Sequence, residues 1–169
     1  MEKRNVYFSK PSQEQLSNLI KYYQDRQYED AEKLAVSITK EFPEHQFAWK
    51  VLGVILIKTG RTRESLIANQ KSVELNSLDS EARYNFGITL ESLGKINESE
   101  TCYRKAIELK PNYPEAYNNL GFTLKNLGRI NEAETCYRKA IELNPSYAQA
   151  YYNLANALEL GRLEEAEVS

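Results

Sequence analysis

The chain has 169 residues, of which 41% are hydrophobic and 27% are charged, and its formal net charge is −2. This composition is typical of a globular protein, and the interleaved charges exclude the clustered Lys and Arg of a nucleic-acid-binding surface. The longest apolar run, residues 54–57, is far too short to span a bilayer. We therefore expect neither nucleic acid nor a membrane as a partner.

Residues 1–11 are predicted to form an N-terminal arm. They begin with charged residues, and no apolar core follows, which is unlike a secretory signal. We therefore expect a cytoplasmic protein.

The rest of the chain repeats with a period of 34 residues. The segment TCYRKAIEL at residues 101–109 returns unchanged at residues 135–143. A fixed period of this length predicts stacked supersecondary units. Counting by 34 gives five units in one domain, the first of them degenerate and the last incomplete: 12–45, 46–79, 80–113, 114–147 and 148–169.

Each unit is predicted to contain two amphipathic helices. In the fourth unit Ala116, Leu120 and Leu124 recur at helical spacing, and a second apolar stripe around Tyr137 follows. Gly128 stands between the two stripes and suits the left-handed residue that ends a helix. The sequence therefore predicts an all-α protein made of helical hairpins.

The starts of the second helices in the third and fourth units are predicted from capping residues. Asn97 with Glu100, and Asn131 with Glu134, have the spacing of a capping box. We therefore expect Asn97 and Asn131 to be N-caps.

Small residues follow the same period. Gly53, Gly87 and Gly121 occupy one repeat position, and helices approach to about 8 Å only where side chains are this small. The large residues beside them, Trp49 and Tyr117, are expected to be packing spacers.

The two cysteines, Cys102 and Cys136, are one period apart. Equivalent atoms of neighbouring helical repeats lie roughly 10 Å apart, whereas a disulfide needs Cα atoms within about 7 Å. Both cysteines are therefore expected to be free thiols, which agrees with a reducing compartment.

The fifth unit departs from the pattern, because it lacks one residue before its expected turn at Gly161. We expect a turn there and only a short second helix at 163–169. Tyr152, Leu154 and Leu158 would then be poorly covered. Either the chain is a fragment of a longer protein, or this end pairs with a second copy.

Several spaced motifs carry a resemblance to the tetratricopeptide repeat over residues 12–169. This resemblance implies antiparallel helix pairs in a right-handed superhelix (an α-solenoid), with the first helix of each pair lining a concave groove that binds proteins or peptides. The motifs are Trp49-x-x-Leu52-Gly53, Tyr117-x-x-Leu120-Gly121, Ala133-x-x-x-Tyr137 and Pro145.

No catalytic or metal-binding constellation is present in the sequence. His45 is the single histidine and is expected to be a solvated turn residue. One histidine and two separated cysteines do not make a zinc-ligand set, and the glycines follow the repeat period rather than a phosphate-binding motif. We therefore expect no enzyme activity, no metal and no cofactor.

A column of asparagines is the strongest candidate for a binding site. Asn85, Asn119 and Asn153 are spaced by 34 residues, and an amide can pair with both the C=O and the N–H of a peptide backbone. The column stops at Val51. The repeats are similar to those of protein O-linked N-acetylglucosamine transferases, which carry such a column in their superhelix. The residues expected to flank it are Tyr84, Asn118, Tyr152, Phe122 and Asn156. The alternative is that these asparagines are ordinary solvated residues.

Three functions remain open at this stage. The first is a non-catalytic scaffold that binds a peptide or helix in the groove. The second is the N-terminal substrate-recognition region of a larger glycosyltransferase or sulfotransferase. The third is a scaffold that forms a homo-oligomer through residues 148–169. A chaperone-tail ligand is disfavoured, because the basic cluster that clamps its carboxylate in other members of the family is absent.

Overall fold

The computed structural model describes residues 10–167, with side chains as far as residue 162. This part of the chain contains nine α-helices and no strand, which confirms the all-α helical-repeat fold. The helices are α1 Gln13–Gln24, α2 Tyr28–Glu41, α3 Gln46–Lys58, α4 Thr62–Leu75, α5 Ser80–Ser92, α6 Ile96–Leu109, α7 Pro114–Asn126, α8 Ile130–Leu143 and α9 Ala148–Glu167. Most of the predicted arm, residues 1–9, lies outside the described residues.

The chain divides into two compact units, Met1–Ser77 and Leu78–Ser169. In the N-terminal unit α2 packs between α1 and α3, and α4 packs against α3. Leu19, Ile38 and Ile55 are fully buried at its centre. The apolar stripes of the four helices thus meet in one core.

The C-terminal unit contains helices α5 to α9. Each helix packs against the next, and α7 also contacts α9. Tyr103 and Tyr137 are fully buried here, together with Leu124. Since α5, α7 and α9 are the first helices of successive pairs, the 34-residue period places equivalent side chains along one side of this unit.

Close helix packing explains two of the small residues. A Cβ atom added at Gly87 would lie 2.6 Å from the ring of Tyr103, and one added at Gly121 would lie 2.6 Å from the ring of Tyr137. Real Cβ atoms do not approach this closely, so these positions require glycine. The predicted role of the glycine column is confirmed at both.

The turns inside the hairpins take a left-handed residue, as predicted for Gly128. Gly60, Gly94 and Gly128 have φ angles of 79°, 73° and 74°. Arg26 takes the same conformation in the first turn, with a φ of 59°. A side chain in this region carries a steric cost that glycine avoids.

The predicted capping boxes at Asn97 and Asn131 are wrong. Helices α6 and α8 begin two residues earlier, with Lys95 and Arg129 at the N-cap positions, and neither has a side-chain cap. The turn itself fixes the start. The N–H of Lys95 donates to the carbonyl of Leu90, closing the pattern that ends a helix at a left-handed glycine.

A capping box does occur at the start of α1. The backbone N–H of Gln15 donates to Ser12 Oγ over 3.1 Å, and the N–H of Ser12 donates to Gln15 Oε1 over 2.8 Å. Two backbone donors at the helix terminus are satisfied in this way.

The predicted turn at Gly161 is also wrong. Helix α9 continues from Ala148 to Glu167 without a left-handed residue at Gly161. Because one residue is missing, Gly161 lies one position earlier in the repeat than the left-handed Gly128 of the preceding unit. The residues after it are good helix formers, so continuing the helix costs only the low helix propensity of one glycine.

No helix in the described part of the chain combines the length and apolar character needed to cross a membrane.

Candidate functional site

The first helices of the C-terminal unit are joined to one another by polar side chains. Asn119 Nδ2 on α7 donates to the hydroxyl of Tyr84 on α5 over 3.2 Å. Asn153 Nδ2 on α9 donates to Asn118 Oδ1 on α7 over 2.9 Å. Both bonds connect residues 35 apart, so the same two repeat positions are hydrogen-bonded in successive repeats. We call the surface built on these helices the first-helix face: Tyr84, Asn85, Glu91, Asn118, Asn119, Phe122, Lys125, Tyr152, Asn153 and Asn156.

The asparagine column does not lie uniformly at the surface. Asn85 and Asn119 are half-buried, whereas Asn153 is only 7% exposed. Asn153 Oδ1 accepts from Gln149 Nε2 over 3.1 Å while its Nδ2 donates to Asn118. Asn153 is therefore neither a solvated residue nor a free groove residue, because its amide bridges α7 and α9.

The predicted flanking residues also divide between two roles. Asn118 is only 4% exposed and takes part in the bridge between helices. Phe122 and Tyr152 are 39% and 64% exposed, and Asn156 is half-buried. The aromatic rings thus stand at the surface, while the amides between them hold the helices together.

Glu91 forms a polar cluster between α5 and α7. The hydroxyl of Tyr103 donates to Glu91 Oε2 over 2.8 Å, and Thr123 Oγ1 makes a long contact of 3.4 Å with Oε1. Burial raises the pKa of the Glu91 carboxyl. It also raises the pKa of Tyr84, to about 12. The sequence predicts Glu91 and Lys125 at the rim of the groove, where they occupy one repeat position with opposite charges.

The next pair of helices has a different arrangement at the same repeat positions. Lys125 replaces the carboxylate, and its ammonium lies 5.3 Å from the centre of the Phe122 ring. The hydroxyl of Tyr137 is buried and has no hydrogen-bond partner among the described residues. Two identical sequence segments therefore place their tyrosine hydroxyls in unlike surroundings.

The groups with metal or thiol chemistry offer no reactive centre in the described residues. No cluster of three potential metal ligands occurs there. Cys102 and Cys136 are free, as predicted, and burial raises the pKa of each thiol to about 11. His45 is half-buried at the start of α3 rather than fully solvated, and this burial lowers its pKa.

The N-terminal unit contains an apolar cavity of about 210 Å³ between α2, α3 and α4. Val36, Trp49 and Ile67 line it. At one edge Arg61 pairs with Glu32. Trp49 is held by its indole N–H, which donates to the carbonyl of Pro43 over 2.8 Å. Trp49 packs against the core, as expected of a spacer, and also lines this cavity.

Four protein-family models match the sequence of this chain. Models of the tetratricopeptide repeat match residues 20–80, 114–147 and 136–167, and a further model described as a TPR repeat matches residues 90–128. The chain belongs to the tetratricopeptide repeat family. It is a protein-interaction scaffold of helical hairpins.

Solved structures with the same fold include two crystal structures of MamA and one of YrrB. The first MamA structure is 23% identical over 88% of this chain and 86% of that chain, with a TM-score of 0.77. The second is 22% identical over 91% and 84%, with a TM-score of 0.79. YrrB, described as a TPR protein with an unusual peptide-binding site, is 25% identical over 82% and 71%, with a TM-score of 0.73. No curated protein matches the sequence.

Proposed function

We propose that the chain is a non-catalytic scaffold that binds an extended peptide on the first-helix face of the C-terminal unit. The observation that carries the proposal is the combination of half-buried amides and exposed aromatic rings on that face. Asn85 and Asn119 are half-buried, whereas Phe122 and Tyr152 are exposed. The peptide-binding site named for YrrB, which has the same fold, supports it.

The amide of Asn119 can serve a peptide without breaking its existing contacts. Its oxygen accepts one hydrogen bond from Asn118 Nδ2 over 3.3 Å. A second lone pair on that oxygen is available to a peptide N–H. The bond from Asn119 to Tyr84 fixes the amide orientation in advance, which reduces the entropy lost on binding.

The aromatic rings would supply the apolar part of the interaction. Phe122 and Tyr152 come from neighbouring first helices, α7 and α9, and both are exposed enough to cover the side chains of a peptide. Rigid aromatic side chains give much contact area for little conformational entropy. Asn118 and Asn153 act differently, because their mutual bond fixes the two helices on which these rings are mounted.

The experiment uses a random peptide library displayed on phage and selected on the intact chain. Peptides that bind are synthesised, and their dissociation constants are measured by fluorescence anisotropy. Asn119→Ala should weaken binding roughly fivefold, the equivalent of about 1 kcal/mol for one net hydrogen bond. Tyr152→Ala should weaken it by about the same factor or more, as for aromatic residues in other interfaces.

Tyr151→Ala is the matched control. Tyr151 neighbours Tyr152 on α9 and is 49% exposed, but it belongs to a different column of the repeat. Its loss should leave the dissociation constant unchanged. If Tyr151→Ala weakens binding as much as Tyr152→Ala, or if neither Asn119→Ala nor Tyr152→Ala has an effect, the peptide does not bind on the first-helix face.

A second candidate function is self-association through α9. Tyr151 and Leu160 are exposed on this helix, and no helix of the described chain covers them. A second copy could bury both. Multi-angle light scattering over a wide concentration range tests this: an oligomer that Tyr151→Ala weakens would support it, and a monomer at every concentration would exclude it.

A further inference from the structure

Glu91 differs from Glu100 and Glu134 of the C-terminal unit in the groups it contacts. Glu100 contacts both Arg104 and Arg129 over 2.8 Å, and Glu134 contacts Arg138 over 2.8 Å. The carboxylate of Glu91 contacts two hydroxyls, those of Tyr103 and Thr123, and no cation in the described part of the chain. It is thus a half-buried carboxylate with neutral partners only.

The groups around Glu91 come from four helices. They are Tyr84 on α5, Tyr103 on α6, Asn119 and Thr123 on α7, and Tyr137 on α8. All are uncharged at neutral pH. Removing a carboxylate from water without a counter-charge is unfavourable, and the raised pKa of Glu91 is the expected consequence. The arrangement would be stabilised by a positive charge brought from outside.

We propose that Glu91 is the subsite of the first-helix face for a basic side chain, Lys or Arg, of the bound peptide. A carboxylate has about four acceptor positions, and two of those of Glu91 face hydroxyl donors. The remaining positions can accept from an ammonium or a guanidinium group. This inference rests on the proposed function, because it specifies the chemistry of the same peptide-binding face.

The surroundings favour a cation over an anion at this position. The half-buried ring of Tyr84, which packs against Tyr103 and Tyr113, adds no positive charge there. The carboxylate of Glu115 lies near enough to Tyr84 to raise its pKa further, so a second negative charge is close by. Lys125, the basic residue one repeat along from Glu91, is placed over Phe122 rather than at this carboxylate.

The test compares peptides selected on the wild-type chain with peptides selected on Glu91→Gln. The amide oxygen of glutamine can still accept from Tyr103, and a thermal melt followed by circular dichroism verifies that the variant folds. Glu108→Gln is the matched control, because it also removes one negative charge but lies on α6 and pairs with Lys105. Wild type and Glu108→Gln should both select peptides with Lys or Arg at one fixed position.

Glu91→Gln should lose that preference. Its affinity for a wild-type-selected peptide should fall about tenfold or more, as expected for one charge-assisted hydrogen bond. Replacing the basic peptide residue by Ala should cause the same loss on wild type and little further loss on Glu91→Gln. Selected peptides without a fixed basic residue, or equal affinities for Glu91→Gln and Glu108→Gln, would overturn the inference.

The outcomes also separate this inference from the proposed function. If Asn119→Ala and Tyr152→Ala weaken a peptide that Glu91→Gln binds normally, the face binds peptides and only the basic subsite is wrong. If none of these variants affects any selected peptide, or if no peptide is selected, both proposals fail together.

Discussion

Tyr103 and Tyr137 provide a matched pair for testing the polar cluster at Glu91. They occupy the same place in the repeated segment TCYRKAIEL, both are fully buried, and both rings pack equally closely against a glycine. The surroundings of their hydroxyls differ. That of Tyr103 donates to Glu91 over 2.8 Å, whereas that of Tyr137 is buried without a partner in the described residues.

Replacing each tyrosine by phenylalanine therefore isolates the hydroxyl. Tyr103→Phe removes a hydrogen bond to a carboxylate, which is worth about 1.5–3 kcal/mol. Tyr137→Phe removes a buried polar group that makes no bond, so the free energy of unfolding should stay the same or rise by up to about 1 kcal/mol. The two variants should differ by about 2 kcal/mol, which is roughly 4–8 °C in melting temperature for a chain of this size.

Urea unfolding and thermal melts followed by circular dichroism measure this difference. The wild-type chain is the reference, and the double variant should show the sum of the two single effects. Equal losses of stability in Tyr103→Phe and Tyr137→Phe would refute the reasoning, because ring packing alone would then decide both. A loss confined to Tyr137→Phe would mean that its hydroxyl has a partner that the geometry does not predict.

Three further predictions follow from single positions. Gly161→Ala should raise the free energy of unfolding by about 1 kcal/mol, and with it the melting temperature, because the glycine lies inside α9. An added Cβ has room, since the nearest side-chain atom is 3.6 Å away. A lower melting temperature would place Gly161 in a turn. Arg26→Gly should also raise the free energy of unfolding in urea, by about 1 kcal/mol, since its φ of 59° strains a side chain; no gain would mean that arginine contacts offset the strain. Burial raises the folded-state pKa of the Glu91 carboxyl above its ordinary 4.5. The folded protein therefore holds the carboxyl proton more strongly than the unfolded chain does. The stability that Glu91 contributes should therefore be present below pH 4.5 and be lost as pH rises through the folded-state pKa. Urea unfolding at a series of pH values should show this loss in the wild-type chain but not in Glu91→Gln. The same dependence of unfolding free energy on pH in both proteins would contradict the prediction.

The helical hairpins could be predicted from the sequence because their signals are local and repeated. Apolar residues at helical spacing define the buried stripe of each helix, and a glycine at a fixed place in the period marks each left-handed turn. The column of Gly87 and Gly121 also predicted close packing, which the rings of Tyr103 and Tyr137 require.

The ends of helices were predicted less well because two local signals compete there. Asn97 and Asn131 have capping-box spacing, but the hydrogen bonds of the preceding turn start α6 and α8 two residues earlier. At Gly161 the missing residue breaks the register, and the helix continues. The capping box at Ser12 does mark a helix start, and no left-handed residue directly precedes it.

The depth of side chains on the first-helix face could not be predicted from the period. The column of Asn85, Asn119 and Asn153 assigned these residues to one side of the hairpins, but burial depends on what each amide meets across the next helix. Asn153 meets Asn118, and their bond draws both amides out of solvent. Asn119 meets the hydroxyl of Tyr84 and stays half-buried. Neither pairing follows the 34-residue offset, since both connect residues 35 apart.

Changes at single repeat positions explain how nearly identical repeats acquire different chemistry. A side chain on the first-helix face is surrounded by its own repeat and by the next one, so its environment depends on two positions that vary independently. Tyr103 is satisfied because its own repeat supplies Glu91. Tyr137 is not, because the equivalent position is Lys125, whose ammonium lies over Phe122. The period therefore conserves the framework, while binding specificity can arise from the few columns, such as Glu91 and Lys125, in which successive repeats disagree.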